Sequence, residues 1–228
     1  MKAVILAAGK GTRMGDISAE TPKPMLKVLG KTLLEHKLHL LPDSVTEVII
    51  VVGHLYNKIT EHLGDFCQDK KISYVVQDEL LGTAHALFLC KDLLKNEERF
   101  LVMMGDDIYS REDMEECLKY DWSILIREVE SLKNRAKVVF DENGHIKNIL
   151  EKYQKDEKGF VCSAMYTMTP KIFDYEKVVI PGGEFGLPQT ILSAKDDFKI
   201  KAIQARFWLQ ITAPEDLKVA ETFLSIKN

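Results

Sequence analysis

The stretch Leu6-Ala-Ala-Gly-Lys-Gly-Thr-Arg-Met14 decides the fold, because an apolar run opens there into a short loop with two glycines and two basic residues. Glycine lets backbone N–H groups approach a bound group closely, and cations neutralise phosphates. Lys23-Pro24 follows nine residues later. A buried strand that opens into such a loop predicts a site for a polyphosphate. The alternative is a tight strand-to-helix turn with solvated cations, and Arg13 and Lys23 in one segment argue against it.

The loop matches neither of two common phosphate-binding patterns. Met14 stands where a dinucleotide fingerprint needs its third glycine, and the P-loop spacing that ends in Gly-Lys-Ser/Thr is absent. A dinucleotide-dependent oxidoreductase is therefore disfavoured.

Length and net charge limit the classes of protein to which this chain can belong. The 228 residues suit one large α/β domain with a sizeable core, and the net charge of −4 gives no general basic field for nucleic acid or an anionic membrane. Residues 2–31 are the exception, with six cations against two carboxylates. Such a local excess of positive charge is what a phosphate-binding site requires.

The cysteines and the N-terminus indicate the compartment. The four cysteines are far apart and include no Cys-x-x-Cys pair, so we expect reduced thiols. Met1-Lys2 leads into a predicted strand without a signal-peptide profile, and no apolar run is long enough to span a bilayer. We expect a cytoplasmic protein with no membrane partner.

Strand and helix patterns alternate in the first half of the chain, and the strands are rich in Val and Ile without strict alternation. This pattern predicts a doubly wound, mainly parallel, Rossmann-like α/β sheet. The predicted strands are Lys2–Ala7, Glu47–Val52, Ile72–Val76 and Arg99–Met104, and the predicted helices are about Thr32–Leu41, Leu55–Phe66 and Thr83–Leu94.

The second half is predicted to be β-rich. The predicted strands are Trp122–Glu128, Phe160–Thr167, and a hairpin of Lys137–Phe140 and Ile146–Leu150 around Asn143-Gly144. Thr212-Ala-Pro-Glu215 has the pattern of a capping box and predicts a last helix to about Ser225.

Two aspartates follow the buried strand that ends at Met104. Asp106 and Asp107 would be costly there unless they are hydrated, paired or bound to a cation. Mg²⁺ favours one or two carboxylates together with phosphate oxygens and water. Beside a phosphate loop, these aspartates predict a Mg²⁺ site, and capping of the next element is the alternative.

Gln77 follows the third predicted strand and can read the edge of a base, while Gly82 would let backbone approach a ring. Gly82-Thr83 also suits an ordinary helix start, and we expect a structural role for His85. Glu151-Lys152 is by itself typical of a solvated charge pair.

Taken together and in order along the chain, these motifs resemble the sugar-1-phosphate nucleotidyltransferases, also called NDP-sugar pyrophosphorylases. The segment from Gln77 to Ala86 is most similar to the uridylyltransferases that act on N-acetylglucosamine 1-phosphate, and glucose-1-phosphate thymidylyl- and uridylyltransferases are close relatives. The motifs that carry the resemblance are Leu6–Met14 with Pro22-Lys23-Pro24, Gln77 with Gly82–Ala86, Gly105-Asp106, Glu151-Lys152, and Trp208 followed by Thr212–Leu217.

The resemblance implies one domain, 1–228, with a nucleotide-binding half at about 1–110 and an acceptor-binding half with the C-terminal helix at about 111–228. Arg13 on the β- and γ-phosphates, Lys23 near the α-phosphate and Asp106 on Mg²⁺ would be the catalytic residues. Glu151 would bind acceptor hydroxyls and Lys152 the acceptor phosphate. The nucleotide would be held by Leu6, Ala7, Ala8, Gly9, Gly11, Thr12, Gln77, Gly82 and Thr83.

Several positions depart from the family pattern. Gln210 stands where the second metal ligand would be an Asp or Asn, so either Gln210 ligates more weakly or Asp107 substitutes. Glycine is replaced by Ala136, Asn-x-Gly by Cys162-Ser163-Ala164, and Leu-Thr-Asp by Leu187-Pro188-Gln189. We expect an acceptor other than N-acetylglucosamine 1-phosphate or glucose 1-phosphate: another phosphorylated sugar, a polyol phosphate or phosphocholine.

The sequence thus predicts a Mg²⁺-dependent enzyme that transfers a nucleoside monophosphate from an NTP to a phosphorylated acceptor and releases pyrophosphate. UTP or dTTP is favoured, and CTP and the oligomeric state stay open. The alternative is a regulatory homologue that binds nucleotide or sugar nucleotide with little turnover.

Overall fold

The computed structural model describes residues 1–9, 11 and 20–227. Arg13 and Thr12, to which the sequence assigned phosphate and nucleotide contacts, lie outside the described residues.

A ten-stranded sheet joins both halves of the chain. Its parallel part runs β7-β1-β4-β6, with β5 antiparallel at the edge beyond β6. These strands are β1 Lys2–Leu6, β4 Glu47–Val52, β5 Phe66–Cys67, β6 Lys70–Val76 and β7 Phe100–Met104. The predicted mainly parallel arrangement of the first half is confirmed.

The antiparallel part centres on one long strand. That strand, β12 Gly159–Met168, pairs with β7 from Met165 onward, with β10 at Val161, and along its other edge with β9. The other antiparallel strands are β9 Ser123–Val129, β10 Lys137–Phe140 and β11 Ile146–Leu150, and β13 Lys201–Gln204 pairs parallel with β9.

Two-residue and three-residue strands complete the β structure. β2 Lys27–Val28 pairs with β3 Lys31–Thr32, and β8 Asp107–Tyr109 pairs antiparallel with β14 Trp208–Gln210. The β8–β14 ribbon brings the C-terminal part of the chain beside the loop that follows β7.

Helices pack on both faces of the sheet. Along β1, Ala3 and Ile5 join one apolar cluster while Val4 and Leu6 join another, which explains why the strand sequence does not alternate. The helices are α1 Leu33–Leu40, α2 Tyr56–Leu63, α3 Thr83–Phe88, α4 Lys91–Leu94, α5 Arg111–Cys117, α6 Leu187–Leu192 and α7 Pro214–Lys227.

Two local predictions need correction. The helix predicted at Thr83–Leu94 is two helices, because the N–H of Cys90 bonds back to Leu87 in a tight turn between them. At α7 the capping partner is Asp216 rather than Glu215: its Oδ2 accepts from the N–H groups of Thr212 and Ala213 at 2.6 and 2.8 Å. Proline at the first helical position places Asp216, not Glu215, in the third position, from which a side chain reaches back to the cap.

All four cysteines lie in the described part of the chain and are free thiols. Within that part, no helix combines the length and the apolar character that crossing a membrane would take.

Candidate functional site

The predicted phosphate loop starts where the carboxyl ends of β1 and β7 lie side by side. The Gly105 N–H donates to Leu6 O at 2.8 Å, and a Cβ on residue 105 would lie 3.0 Å from Ala7 Cβ. Glycine is the residue that fits this approach with least displacement. Ligands of parallel sheets bind at this end of the strands, so Leu6, Ala7, Ala8 and Gly9 lie at an edge that suits a ligand, and their nucleotide contacts stay a prediction.

Lys23 and Asp106 are in direct contact across this edge. Lys23 lies in a short 3-10 helix, Lys23–Met25, is 5% exposed, and its Nζ lies 2.5 Å from Asp106 Oδ2. The Asp106 side chain is 24% exposed. The structure therefore joins two of the three predicted catalytic residues, and the carboxylate already faces a cation.

Asp107 differs sharply from its neighbour Asp106. It is 1% exposed, its Oδ2 accepts from Trp208 Nε1 at 2.9 Å and from the Tyr109 hydroxyl at 3.3 Å, and its Oδ1 is buried without a hydrogen-bond partner. Asp107 is thus part of the packing between β8 and β14. The alternative that Asp107 replaces a family metal ligand finds no support in this placement.

Lys37 is a buried cation that the sequence predictions missed. Its Nζ donates to the Asp107 backbone carbonyl and lies 4.7 Å from the centre of the Tyr109 ring. A signal was present: leucines three and four residues away on either side put Lys37 on the apolar face of α1.

The buried charges shift each other's pKa values. Burial raises the pKa of Asp107 to about 7, with a further contribution from the negative charge of Asp106, while Trp208 and the nearby lysines oppose the shift. Burial lowers the pKa of Lys37 to about 8, and the two aspartates oppose that shift.

Gln210, the residue at the family's second metal-ligand position, lies beside the aspartate loop. Its Cα pairs with that of Asp107 in the β8–β14 ribbon. The buried carboxylate of Asp113 holds the start of this ribbon, accepting from Arg206 N–H at 3.0 Å and from Phe207 N–H at 3.1 Å. Sequence analysis missed Asp113, because its partners lie about ninety residues away.

The donor set for a metal is small. No cluster of three or more His, Cys, Asp or Glu side chains that could hold a metal occurs among the described residues. Mg²⁺ is the divalent ion that suits such a site, since it keeps several waters and takes one or two carboxylates plus phosphate oxygens. Asp106, partly exposed and paired with a cation, fits that requirement.

Gln77 lies at the end of β6 and is 4% exposed. Its Nε2 lies 3.2 Å from Gly82 O and 3.1 Å from His85 Nδ1. The amide nitrogen is therefore engaged within the protein, and His85 has the structural contact that the sequence led us to expect.

Gly82 is fixed by a neighbouring chain segment. Its φ is +102°, and a Cβ there would lie 2.5 Å from Phe185 O. Phe185 N–H donates to Leu81 O at 2.8 Å, Ala84 N–H donates to Phe185 O at 3.0 Å, and Leu187 N–H donates to Thr83 Oγ1 at 3.0 Å. This glycine lets two backbone segments cross, a reason that the sequence did not reveal.

Glu151 and Lys152 directly follow β11, which ends at Leu150. Glu151 Oε1 accepts from Gln189 Nε2 at 3.0 Å, and the backbone of Lys152 is left-handed with φ +51°. The carboxylate of Glu151 therefore contacts a glutamine of α6.

Two of the positions that depart from the family pattern, Ala164 and Cys162, interact with groups of the candidate site. Ala164 has a left-handed backbone with φ +51° at an irregularity in the β12–β9 pairing, and its carbonyl accepts from the Tyr109 hydroxyl at 3.2 Å. Burial raises the pKa of the Cys162 thiol to about 11, and the charge of Glu151 adds to that shift. Tyr109 thus joins the Asp107 network to the acceptor side.

Comparison with known proteins supports the resemblance to the sugar-1-phosphate nucleotidyltransferases. The family model described as "Nucleotidyl transferase" matches residues 2–184. The chain is 34% identical to UTP–glucose-1-phosphate uridylyltransferase AglF of Haloferax volcanii over 97% of this chain and 95% of AglF. It is 32% identical to the bifunctional protein GlmU of Methanocaldococcus jannaschii over 98% of this chain but 54% of GlmU, so it spans about half the length of that relative.

A solved structure with a similar fold supports the same family. A putative glucose-1-phosphate thymidylyltransferase from Bacillus anthracis, in complex with a sucrose, superposes with a TM-score of 0.83 at 26% identity, over 98% of this chain and 94% of that one. The strand ends, the Lys23–Asp106 pair and these similarities lead to one conclusion: this chain belongs to the sugar-phosphate nucleotidyltransferase family.

Proposed function

We propose that the protein transfers a nucleoside monophosphate from an NTP to a sugar 1-phosphate or related phosphorylated acceptor, with Mg²⁺, and releases pyrophosphate. The observation that carries this proposal is the contact of Lys23 with Asp106 beside the close approach of Gly105 to Ala7. A cation and a partly exposed carboxylate at the carboxyl ends of parallel strands suit a triphosphate and its metal.

The reaction needs positioning and charge neutralisation rather than a base. An oxygen of the acceptor phosphate is already anionic and attacks the α-phosphorus, while the bond from that phosphorus to the bridging oxygen breaks and its electron pair leaves with pyrophosphate. Lys23 and Arg13 would bind the α-phosphate and the β- and γ-phosphates and reduce the repulsion between the two anionic substrates. Mg²⁺ held by Asp106, with Gln210 as a weaker second ligand, would stabilise the departing charge.

The same proposal divides the chain into a nucleotide-binding part and an acceptor-binding part. We assign the nucleotide to about residues 1–110, on the loop after β1 and on Gln77, Gly82 and Thr83, and the acceptor to about residues 111–228 with Glu151 and Lys152. The Tyr109 hydroxyl contacts Asp107 Oδ2 and the Ala164 carbonyl oxygen, and these contacts link the two parts.

Gln77 favours a uracil or thymine base. With the amide nitrogen directed at Gly82 O and His85 Nδ1, the carboxamide oxygen is the group that Gln77 has for a base. An oxygen acceptor placed at N3 pairs with the imide N–H of uracil or thymine, whereas N3 of cytosine has no hydrogen and its donor is the 4-amino group. The name of AglF specifies UTP, in agreement with this preference.

The acceptor is proposed to differ from N-acetylglucosamine 1-phosphate and glucose 1-phosphate. Two positions where the family pattern has other residues interact with Glu151: Gln189 by a hydrogen bond and Cys162 through the effect of the Glu151 charge on its pKa. Full activity on either of these two sugar phosphates would refute this part of the proposal.

The decisive experiment is a pyrophosphate-release assay over a matrix of NTPs and phosphorylated acceptors with Mg²⁺, on the natural sequence, on Asp106→Ala and on Asp196→Ala. Asp196 is an exposed aspartate and serves as the matched control. We expect Asp106→Ala to lose turnover by at least about 100-fold with its melting temperature retained, and Asp196→Ala to keep it. Nucleotide binding without pyrophosphate release from the natural sequence would instead identify a regulatory homologue, a function that Gln210 in place of an Asp or Asn would favour.

A further inference from the structure

Gln189 makes both of its amide-nitrogen contacts at the end of β11. Its Nε2 lies 3.1 Å from the Ile149 backbone carbonyl and 3.0 Å from Glu151 Oε1. A carboxamide nitrogen has two hydrogens, and both are accounted for by these acceptors. Gln189 therefore links the Glu151 carboxylate to the backbone at the end of β11.

The orientation of this carboxamide is fixed by its two oxygen acceptors, and a glycine leaves the space that the carboxamide occupies. Gln189 Oε1 is buried without a hydrogen-bond partner, and a Cβ on Gly186 would lie 2.1 Å from it. Turning the amide over would place Oε1 against two oxygen acceptors, which is unfavourable. Gly186 thus makes room for the orientation in which Nε2 faces Glu151.

The helix that carries Gln189 is anchored at its first turn. Leu187 N–H donates to Thr83 Oγ1 at 3.0 Å, and Val178 N–H donates to the buried Thr190 hydroxyl oxygen at 3.0 Å. Gln189 can fix the position of Glu151 only if its own helix is held in place. These two contacts hold α6 on both sides of Gln189.

We infer that Gln189 is a positioning residue for acceptor binding: it fixes the Glu151 carboxylate by one oxygen and leaves Oε2 for a donor on the acceptor. The inference rests on the proposed function, in which Glu151 binds the acceptor. A carboxylate held on one oxygen loses less rotamer freedom when a ligand binds the other, so affinity for the acceptor rises without a change in the nucleotide site.

The test is a double-mutant cycle on the whole protein, with Gln189→Met, Glu151→Ala and the double variant. Methionine keeps the length of glutamine and removes the donor. Gln204→Met, the same exchange at an exposed position of β13, is the control. The measurements are kcat and KM for the acceptor and for the NTP, and the melting temperature.

We expect Gln189→Met to raise KM for the acceptor about 10-fold while KM for the NTP changes less than about 2-fold. In the Glu151→Ala background the same exchange should have no further effect, because the group through which Gln189 acts is gone. If Gln189→Met does not fold, Gln189→Asn, which keeps the carboxamide but falls one methylene short, takes its place in the cycle.

The outcomes separate the inference from the function on which it rests. Additive effects in the cycle, or an equal rise of KM for both substrates, would mean that Gln189 serves the fold generally, and would overturn the inference alone. A natural sequence that turns over no acceptor of the matrix would overturn the proposed function, and the positioning role with it.

Discussion

Gly82 in the first half of the chain and Ala164 in the second half both have positive φ, but they are constrained differently. At Gly82, with φ +102°, the backbone of Phe185 leaves no space for a side chain. At Ala164, with φ +51°, a Cβ is present and the backbone conformation persists without glycine. A left-handed backbone alone does not require glycine, whereas a backbone crossing does.

The difference explains which positions of the site can vary. Gly82 and Gly105 are crowded by neighbouring chain, so a larger residue at either position must displace that neighbour. Ala164 and Lys152 keep a left-handed backbone with side chains attached. The residue type at such uncrowded positions can therefore change while the chain follows the same path.

The largest effect on stability is expected from Gly82→Ala. Its Cβ would meet Phe185 O, and its φ would be strained, so we expect the free energy of unfolding to fall by about 2–4 kcal/mol in urea denaturation. Gly144→Ala is the matched control, because Gly144 has φ +76° but no atom within 4 Å of a Cβ, and it should cost only about 1 kcal/mol. Equal losses would remove the distinction between a crossing and a left-handed turn.

An intermediate effect is expected from Asp107, which lies where the two sides meet. Its native pKa is about 7 and its usual value 3.8, so between these values the native state binds more protons than the unfolded chain. The free energy of unfolding should therefore decrease as pH rises from about 4 to 7, by at most about 1.4 kcal/mol per pH unit from this group.

Asp107→Asn should remove that part of the slope, and Asp196→Asn, an exposed control, should leave it. Lys37 acts with the opposite sign at higher pH: its lowered pKa means that the unfolded chain binds more protons there, so stability should rise above about pH 8. An unchanged slope in Asp107→Asn would contradict the buried, protonated carboxyl.

The smallest effect is expected from Ala164→Gly. Relief of the left-handed strain slightly exceeds the added entropy of the unfolded chain, so stability should rise by up to about 1 kcal/mol. Ala136→Gly, at the other position where the family pattern has glycine, has no positive φ and should lose about 0.5–1 kcal/mol. Thermal melts of both variants give the two signs, and the same sign for both would show that Ala164 is not strained.

Sequence patterns predicted what depends on local chemistry. Val- and Ile-rich runs predicted the parallel strands, Asn143-Gly144 predicted the hairpin, and the strand-end positions predicted that Asp106 lies beside the glycine loop; the contact of Asp106 with Lys23 was not predicted. The family assignment from the motifs is confirmed by the match over residues 2–184. The individual roles of Arg13, Gln210, Glu151 and Lys152 stay predictions.

What the sequence did not reveal depends on distant partners. Asp113 holds residues 206 and 207, and Gln189 holds Glu151, through contacts that no local spacing encodes. The three-residue strands β8 and β14 are too short for a period to be read. Lys37 was the exception, since its place among leucines could have marked it as buried.

The crossing of Phe185 over Gly82 has a practical consequence for protein engineering. Chimeras that exchange acceptor halves between relatives would place a foreign segment against Gly82, and three main-chain and hydroxyl bonds join these parts. A breakpoint near residue 110 separates the two sides in sequence but not in space. Recombined enzymes should therefore inherit residues 81–84 and 185–187 from the same parent.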